Sequence, residues 1–262
     1  MIVRTEVKKI PPVTGDKIPH EWRETLINDK NYTPEWKKYE NFHPSIQRIL
    51  STTRIPTDAN QWQAERRTRI TATNTASIIS ECGLYGRCLW KNRYQLFQTK
   101  TGQKKDSFSD DTKLAFAHGN RFEAEAANIY SQVTGIDLVE EPIGLVMHPD
   151  EDYIAATPDR LAKYFPINIE IKCPYRRRHI SHSIPSYYYP QVQHQMYVLG
   201  LEETHFVQYV PPLKNGFKGL LAIVIVKFDQ ELWEKAKIEI KQFYQEIVDF
   251  YGEQQVSSVL MN

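Results

Sequence analysis

The segment ATPDRLAKYFPINIEIKCPY, residues 156–175, sets charged residues at fixed intervals into an otherwise β-branched, apolar run. Side chains alternate across a strand, so INIEIK (167–172) places Ile167, Ile169 and Ile171 on one face and Asn168, Glu170 and Lys172 on the other. One face builds core, and the other presents an acid beside a base. On a half-exposed strand such a pair is common and contributes little. The preceding residues change its meaning, because 153–156 reads as the end of a neighbouring strand and Pro158-Asp159 as the turn after it. A hairpin between these two runs, through residues 160–167, predicts Asp159 close to Glu170, so that two carboxylates and an ammonium converge.

Outward from this segment the pattern is orderly. Toward the N-terminus, helices are predicted from residue 58 to about 67, then to about 80 after a Thr-rich break, and near 89–99. A long helix follows over 112–134, with Phe122, Ala126, Ile129 and Val133 as its core stripe and Gly135 ending it. Strands are predicted at 138–147, 153–156 and 167–172. A helix at 190–199 carries proline in its first turn, two strands follow at 205–210 and 220–228, and a last helix repeats Ala236, Ile240, Phe243, Ile247 and Phe250. Helices, three strands, a helix, two strands and a helix predict an α/β fold with a mixed central β-sheet flanked by helices. Residues 1–58 are polar, yet they hold Trp22, Tyr32, Trp36, Tyr39 and Phe42. That many aromatics predict a packed helical N-terminal extension rather than a disordered tail, with residues 59–262 as the main domain.

The 262 residues suffice for a substantial core. No apolar run reaches the length of a bilayer span, and the first residues lack the apolar centre of a signal peptide, so an intracellular protein is expected. Three cysteines, Cys82, Cys88 and Cys173, show no CxxC spacing, and the histidines His179, His182 and His194 have no complementary cysteine pair. Surface or supporting histidines are the expectation, not zinc ligands. Net charge is only +1, so any contact with a polyanion must come from local clusters. Candidates are Arg66, Arg67 and Arg69; Arg87 with Lys91 and Arg93; and Arg176, Arg177 and Arg178.

Asp159 and Glu170 supply the hard oxygen ligands that Mg²⁺ prefers, and the carbonyl of Ile171 offers another. A metal there would acidify a bound water and offset charge on a phosphate. Lys172 would either deprotonate that water, which requires its pKa to be depressed from about 10.4, or act as a fixed positive charge.

Asp159, Glu170 and Lys172 have the form of the PD-(D/E)xK nuclease signature. Four ordered segments carry a more specific likeness: RRTRITATNTASII (66–79), HGNRFEAEAANIY (118–130), ATPDRL with IEIKCPY, and YYYPQVQHQMYVLG (187–200). Through them the chain, from about residue 62 to 250, resembles the YqaJ, or phage lambda-type, exonuclease family. The resemblance implies a restriction-endonuclease-like core and a Mg²⁺-dependent enzyme, with Mn²⁺ able to substitute. Such an enzyme digests one strand of linear duplex DNA from its 5′ end, releases mononucleotides and leaves 3′ single strands for recombination. It places Glu123 with Asp159, Glu170 and Ile171 at the metal and Gln191 against the site, while Gln193 and Gln195 are expected to point elsewhere on their helix. Arg66 and Thr73 fall where the family grips the 5′ phosphate; Thr stands where Ser is usual. A guanidinium fork and a hydroxyl near a helix start suit a phosphate.

Arg67, Arg69, Arg87 and Arg176–Arg178 would serve the DNA backbone or lie in solvated loops. Tyr187, Tyr188 and Tyr189 would stack on a base or pack their helix. A single-strand annealing protein is an implied partner, and a homotrimer is one implied assembly. Other readings of the same residues are an endonuclease acting on RNA or branched DNA, and a DNA-end clamp without turnover.

Overall fold

The structure is a computed structural model that describes residues 2–9, 42–52, 54–56, 60–80, 91–140, 142–177, 179–212 and 219–260, of which 2–9, 54, 60 and 253–260 are described by their backbone alone. Arg87, Arg178, Cys82, Cys88 and the aromatic residues between 10 and 41 lie outside that set.

Two mixed sheets organise the chain. The larger has the order β1-β9-β8-β7-β6, built from Ile2–Lys9 (β1), Arg160–Leu161 (β6), Ile167–Lys172 (β7), Glu203–Val210 (β8) and Leu220–Lys227 (β9). Its one parallel pair is β7 with β8, in register Glu170 to Phe206. A parallel pair needs a crossover, and the helix Tyr189–Leu199 (α6) supplies it. The smaller sheet has the order β2-β4-β5-β3, from Arg54–Ile55 (β2), Ile70–Thr71 (β3), Leu145–Met147 (β4) and Ile154–Ala156 (β5). The remaining helices are Pro44–Ser51 (α1), Asn60–Thr68 (α2), Ala72–Ile79 (α3), Arg93–Lys100 (α4), Asp110–Thr134 (α5) and Gln230–Leu260 (α7).

The mixed α/β architecture agrees with the sequence pattern, but the strand pairing does not follow the expected hairpin. β5 pairs with β4 and β3 in the smaller sheet, and it is β6 that pairs antiparallel with β7, Arg160 opposite Ile169. Pro158 lies between: it offers no N–H to a ladder and redirects the chain from one sheet to the other. Asp159 therefore reaches β7 from the entrance of β6. The strand expected over 138–147 is reduced to Leu145–Met147, with Leu138 making an isolated bridge to Ala162. Residues 2–9, expected in a helical extension, form a strand along the open edge of β9. The IVRTEVKK segment is rich in β-branched residues, and an unpaired edge offers it a row of backbone partners. Residues 44–51 are helical, and α1 buries Ile46 and Ile49 in the core.

Both faces of β7 are covered. Ile167, Ile169 and Ile171 pack against Ala126, Ile129, Tyr130 and Val133 of α5, so the predicted stripe on that helix is buried. Ser109 caps α5 by accepting from the Thr112 N–H at 3.2 Å, and Gly135 ends it at φ 72°. The opposite face of β7, with Asn168 and Glu170, lies under α6. At the end of α6, Gly200 takes φ 61°, and Arg48 of α1 donates to the Leu199 carbonyl at 2.6 Å. Among the described residues no helix is long and apolar enough to cross a membrane.

His194, on the core side of α6, is fully buried and ties three elements together. The Ala155 carbonyl can only accept, so Nε2 carries the proton toward it (3.2 Å), and Nδ1 accepts from the Thr75 hydroxyl at 2.8 Å. Burial pushes the imidazole pKa down to about 3. Between that value and the unfolded value of about 6.5, the unfolded chain binds a proton that the folded chain does not, so stability falls as pH drops through this window. Urea titrations from about pH 7 to about pH 4 are expected to show a steeper loss of unfolding free energy for the native protein than for His194→Gln. Equal slopes would remove His194 as the cause.

Candidate active site

Glu170 is the most enclosed charged group of the described chain, with 1% of its surface exposed. A carboxylate so placed must be supplied with donors. The Lys172 ammonium and the Gln191 side-chain amide (2.5 Å) both donate to Oε1, and the Gln195 amide donates to Oε2 at 2.7 Å. Lys172 reaches it from the same face of β7, whereas Gln191 and Gln195 stand one turn apart on α6. The expectation that Gln195 points elsewhere is thus wrong: residues at i and i+4 share a helix face, and that spacing was the signal that could have found it. Gln193 does point away, donating to the Lys227 carbonyl at 3.0 Å. The Gln195 amide is itself oriented by Asn168, whose Nδ2 donates to Gln195 Oε1 and to Thr204 Oγ1, each at 3.1 Å.

Asp159 stands beside this cluster. Its Oδ2 accepts from the Ile171 backbone N–H at 2.7 Å, which fixes the carboxylate against the edge of β7. The next residue, Arg160, donates to Glu123 Oε1 at 2.8 Å and to the Asp159 carbonyl. Glu123 comes from α5, one residue beyond Phe122 at the edge of the core stripe. Burial, and then the negative charges of Glu170 and Glu123, hold Asp159 well above the usual carboxylate range, against the opposing pull of Lys172 and the Ile171 N–H. Burial alone would lower Lys172, but Glu170 and Asp159 overcome it and raise its pKa above the ordinary lysine value. Lys172 is therefore a firmly held ammonium here, 5.1 Å from the centre of the Tyr188 ring, and not the depressed base that one sequence expectation required. Burial first, then the charges of Glu123 and Asp159, push the adjoining Cys173 thiol up to about 12, which leaves it a poor nucleophile.

The structure thus brings together Glu123, Asp159, Glu170, Ile171, Lys172 and Gln191. Among the described residues no three His, Cys, Asp or Glu side chains are arranged to hold a metal ion; Lys172 and Arg160 engage the carboxylates instead. The donor chemistry nevertheless fits a hard divalent cation. Burial, together with the charges of Glu170 and Glu123, disfavours ionisation of Asp159, and a cation bound beside the three carboxyl groups would offset both effects.

A second group lies along β3 and the helices around it. Arg66, in the last turn of α2, points Nη2 toward Thr73 Oγ1 at 3.4 Å, and its guanidinium lies 4.4 Å from the centre of the Trp62 ring. Thr73 is in the first turn of α3, after Thr71 at the cap position. Because β3 and β5 run parallel, with Thr71 opposite Ala155, the strand leading into α3 and the one leading to Asp159 end at the same edge of the smaller sheet.

The other basic residues are less uniform. Arg67 is exposed; Arg69 pairs with Glu65, and Arg176 with Asp111. Arg177 donates to Gln208 Oε1 at 3.4 Å. Tyr189 is buried and bonds Asp229 at 3.2 Å, so for it the packing role holds. His179 and His182 are exposed.

Two mixed sheets flanked by helices make an α/β fold in which β7 and the entrance of β6 bring two acids and a lysine together. The same fold occurs in LHK-Exo, an alkaline exonuclease from Laribacter hongkongensis. Its structure in complex with dAMP superposes with a TM-score of 0.64 at 23% identity, covering 78% of this chain and all of that one. A phage-related exonuclease from Haemophilus somnus superposes with a TM-score of 0.52 at 12% identity, over 70% of this chain and 96% of that one. Residues 61–202 match the YqaJ-like viral recombinase domain, and the chain belongs to that family. An uncharacterized protein of Acanthamoeba polyphaga mimivirus is 27% identical over an alignment of 228 positions that covers 77% of this chain. The chain spans 39% of that relative's length.

The raised pKa of Asp159 has a consequence for stability. The folded chain holds a proton longer than the unfolded one as pH rises, so this group destabilises the fold once it is forced to ionise. In EDTA at about pH 8, Asp159→Asn, which still offers an oxygen to the Ile171 N–H, is expected to melt several degrees higher than the native protein. A lower melting temperature for the variant would contradict the electrostatic description of the site.

Proposed function

We propose that the protein is a metal-dependent DNA exonuclease that digests one strand of linear duplex DNA from its 5′ end. It releases mononucleotides and leaves 3′ single strands suited to recombination by strand annealing. The observation that carries this reading is the meeting of Glu123, Asp159, Glu170, Lys172 and Gln191 at one end of β7. That cluster lies in a chain whose Arg66 and Thr73 converge where a parallel strand pair ends.

Glu123, Asp159, Glu170 and the Ile171 carbonyl would hold Mg²⁺, with Mn²⁺ as a substitute; when bound, it supplies an acidified water and charge compensation at the phosphate. Gln195 and Asn168 hold Glu170 in one orientation, so its second oxygen needs no rearrangement to find a partner. Lys172 enters as an ammonium and stabilises negative charge building on the scissile phosphate, a role that a fixed positive charge performs without giving up its proton. Arg66, stiffened by Trp62, and the Thr73 hydroxyl would take the terminal 5′ phosphate, with the Arg supplying two parallel donors. Arg67 and, after exchange of their present partners, Arg69, Arg176 and Arg177 would follow the DNA backbone without reading bases.

A time course on linear duplex labelled at either end, with Mg²⁺ or Ca²⁺, tests metal, polarity and product together. Mononucleotides are expected to accumulate from 5′-phosphorylated ends with Mg²⁺, whereas internal cuts in closed circular DNA would overturn the exonuclease reading. Lys172→Ala is expected to slow cleavage by at least about a hundredfold; equal background rates for both proteins would remove the enzyme. Arg66→Ala is expected to raise KM for 5′-phosphorylated ends about tenfold or more, the equivalent of about 1.5–3 kcal/mol for charge-assisted hydrogen bonds.

A further inference from the structure

Lys100 is a buried ammonium that the chemistry above does not use. It is the last residue of α4, is 8% exposed, and points Nζ at the Arg66 carbonyl (2.6 Å) and the Arg69 carbonyl. The Arg66 carbonyl belongs to the last turn of α2, where the negative end of the helix dipole lies, and Arg69 directly follows that helix. On its other side, the Lys100 carbonyl accepts from the Tyr251 hydroxyl of α7 at 3.1 Å. The chain of contacts therefore runs from α7 through α4 to the backbone of the residue whose guanidinium faces Thr73. On the far side the same turn is held by β3, whose Ile70 N–H donates to the Tyr153 carbonyl at 2.7 Å. Arg66 is thus clamped between a strand and a buried cation.

We infer that Lys100 is a positioning residue for recognition of the phosphorylated 5′ end: it never touches the DNA, but fixes the α2 turn so that Arg66 stays over Thr73. The inference rests on the proposed phosphate-gripping role of Arg66 and Thr73. A structural lysine buried merely for packing would be served better by an apolar side chain, since burying an ammonium is costly. Two backbone acceptors on one catalytically placed turn give the charge a reason to be there.

The surroundings agree with this assignment. The charged groups acting on Lys100 are Arg66 from α2 and Lys91 and Asp106 flanking α4, while Tyr251 from α7 meets its backbone carbonyl. Glu65 is engaged by Arg69, and Asp106 by Lys91. Burial first, then Arg66 and Lys91 against a weaker pull from Asp106, press the ammonium down to about 7. An anion bound at Arg66 adds negative charge nearby and favours the protonated form. By linkage, the protonated form then favours the anion.

The test compares full-length native protein with Lys100→Met on linear duplexes carrying a 5′ phosphate or a 5′ hydroxyl, after a melting curve for each protein. For Lys100→Met, KM on the phosphorylated duplex is expected to rise at least about tenfold toward the hydroxyl value, while kcat and the rate on the hydroxyl duplex stay unchanged. Unchanged discrimination, or an equal loss on both duplexes, overturns the inference. If Lys100→Met does not fold, the native protein answers alone: its preference for phosphorylated ends is expected to fall between about pH 6 and about pH 9, as the ammonium is lost. A preference flat across that range overturns the inference. Native protein that never distinguishes the two ends refutes the phosphate reading of Arg66 and Thr73 itself.

Discussion

The Glu170 carboxylate is the constraint on which the rest of the structure depends. A carboxyl group at 1% exposure must be supplied with donors, and its partners come from β7 itself and from one face of α6. That requirement fixes the rotation of α6 over the sheet. Because α6 is also the crossover between the parallel strands β7 and β8, the same hydrogen bonds that supply the buried Glu170 side chain with donors also set how the two halves of the larger sheet are joined. Asn168 and Thr204 extend the polar network along the strand pair, so a whole strip of the sheet face is polar, buried and directed toward one carboxylate.

The charge balance of the site follows from this burial. Three acids are drawn together and two cations, Lys172 and Arg160, answer them. The balance is incomplete, since Asp159 still resists ionisation. The apolar face of β7, against α5, supplies the rigidity: Ile167, Ile169 and Ile171 lock into the helix that carries Glu123. Catalytic precision and core packing are two faces of one six-residue strand.

The group of Arg66 and Thr73 is built by a different device. Arg66 is held at the junction of α2 with β3, between the Lys100 ammonium and the bond from the Ile70 N–H to the Tyr153 carbonyl. The parallel pairing of β3 and β5 then makes the distance between the two groups a property of the backbone, not of any side chain.

The sequence by itself determined the α/β class, the stripe on α5, the two-faced character of β7 and the membership of Glu123, Asp159, Glu170, Lys172 and Gln191 in one site. Each of these is recorded in local periodicity or in the order of short segments. Only the tertiary structure decided that β5 leaves β7 for a second sheet, that residues 2–9 become an edge strand, that Gln195 closes the shell of Glu170, and that Lys100 lies beneath Arg66. Periodicity states which side of an element a residue occupies, but not which other element will meet that side. Lys172 shows the same limit in electrostatic form, because its pKa depends on carboxylates two and thirteen residues away whose distances the fold alone establishes.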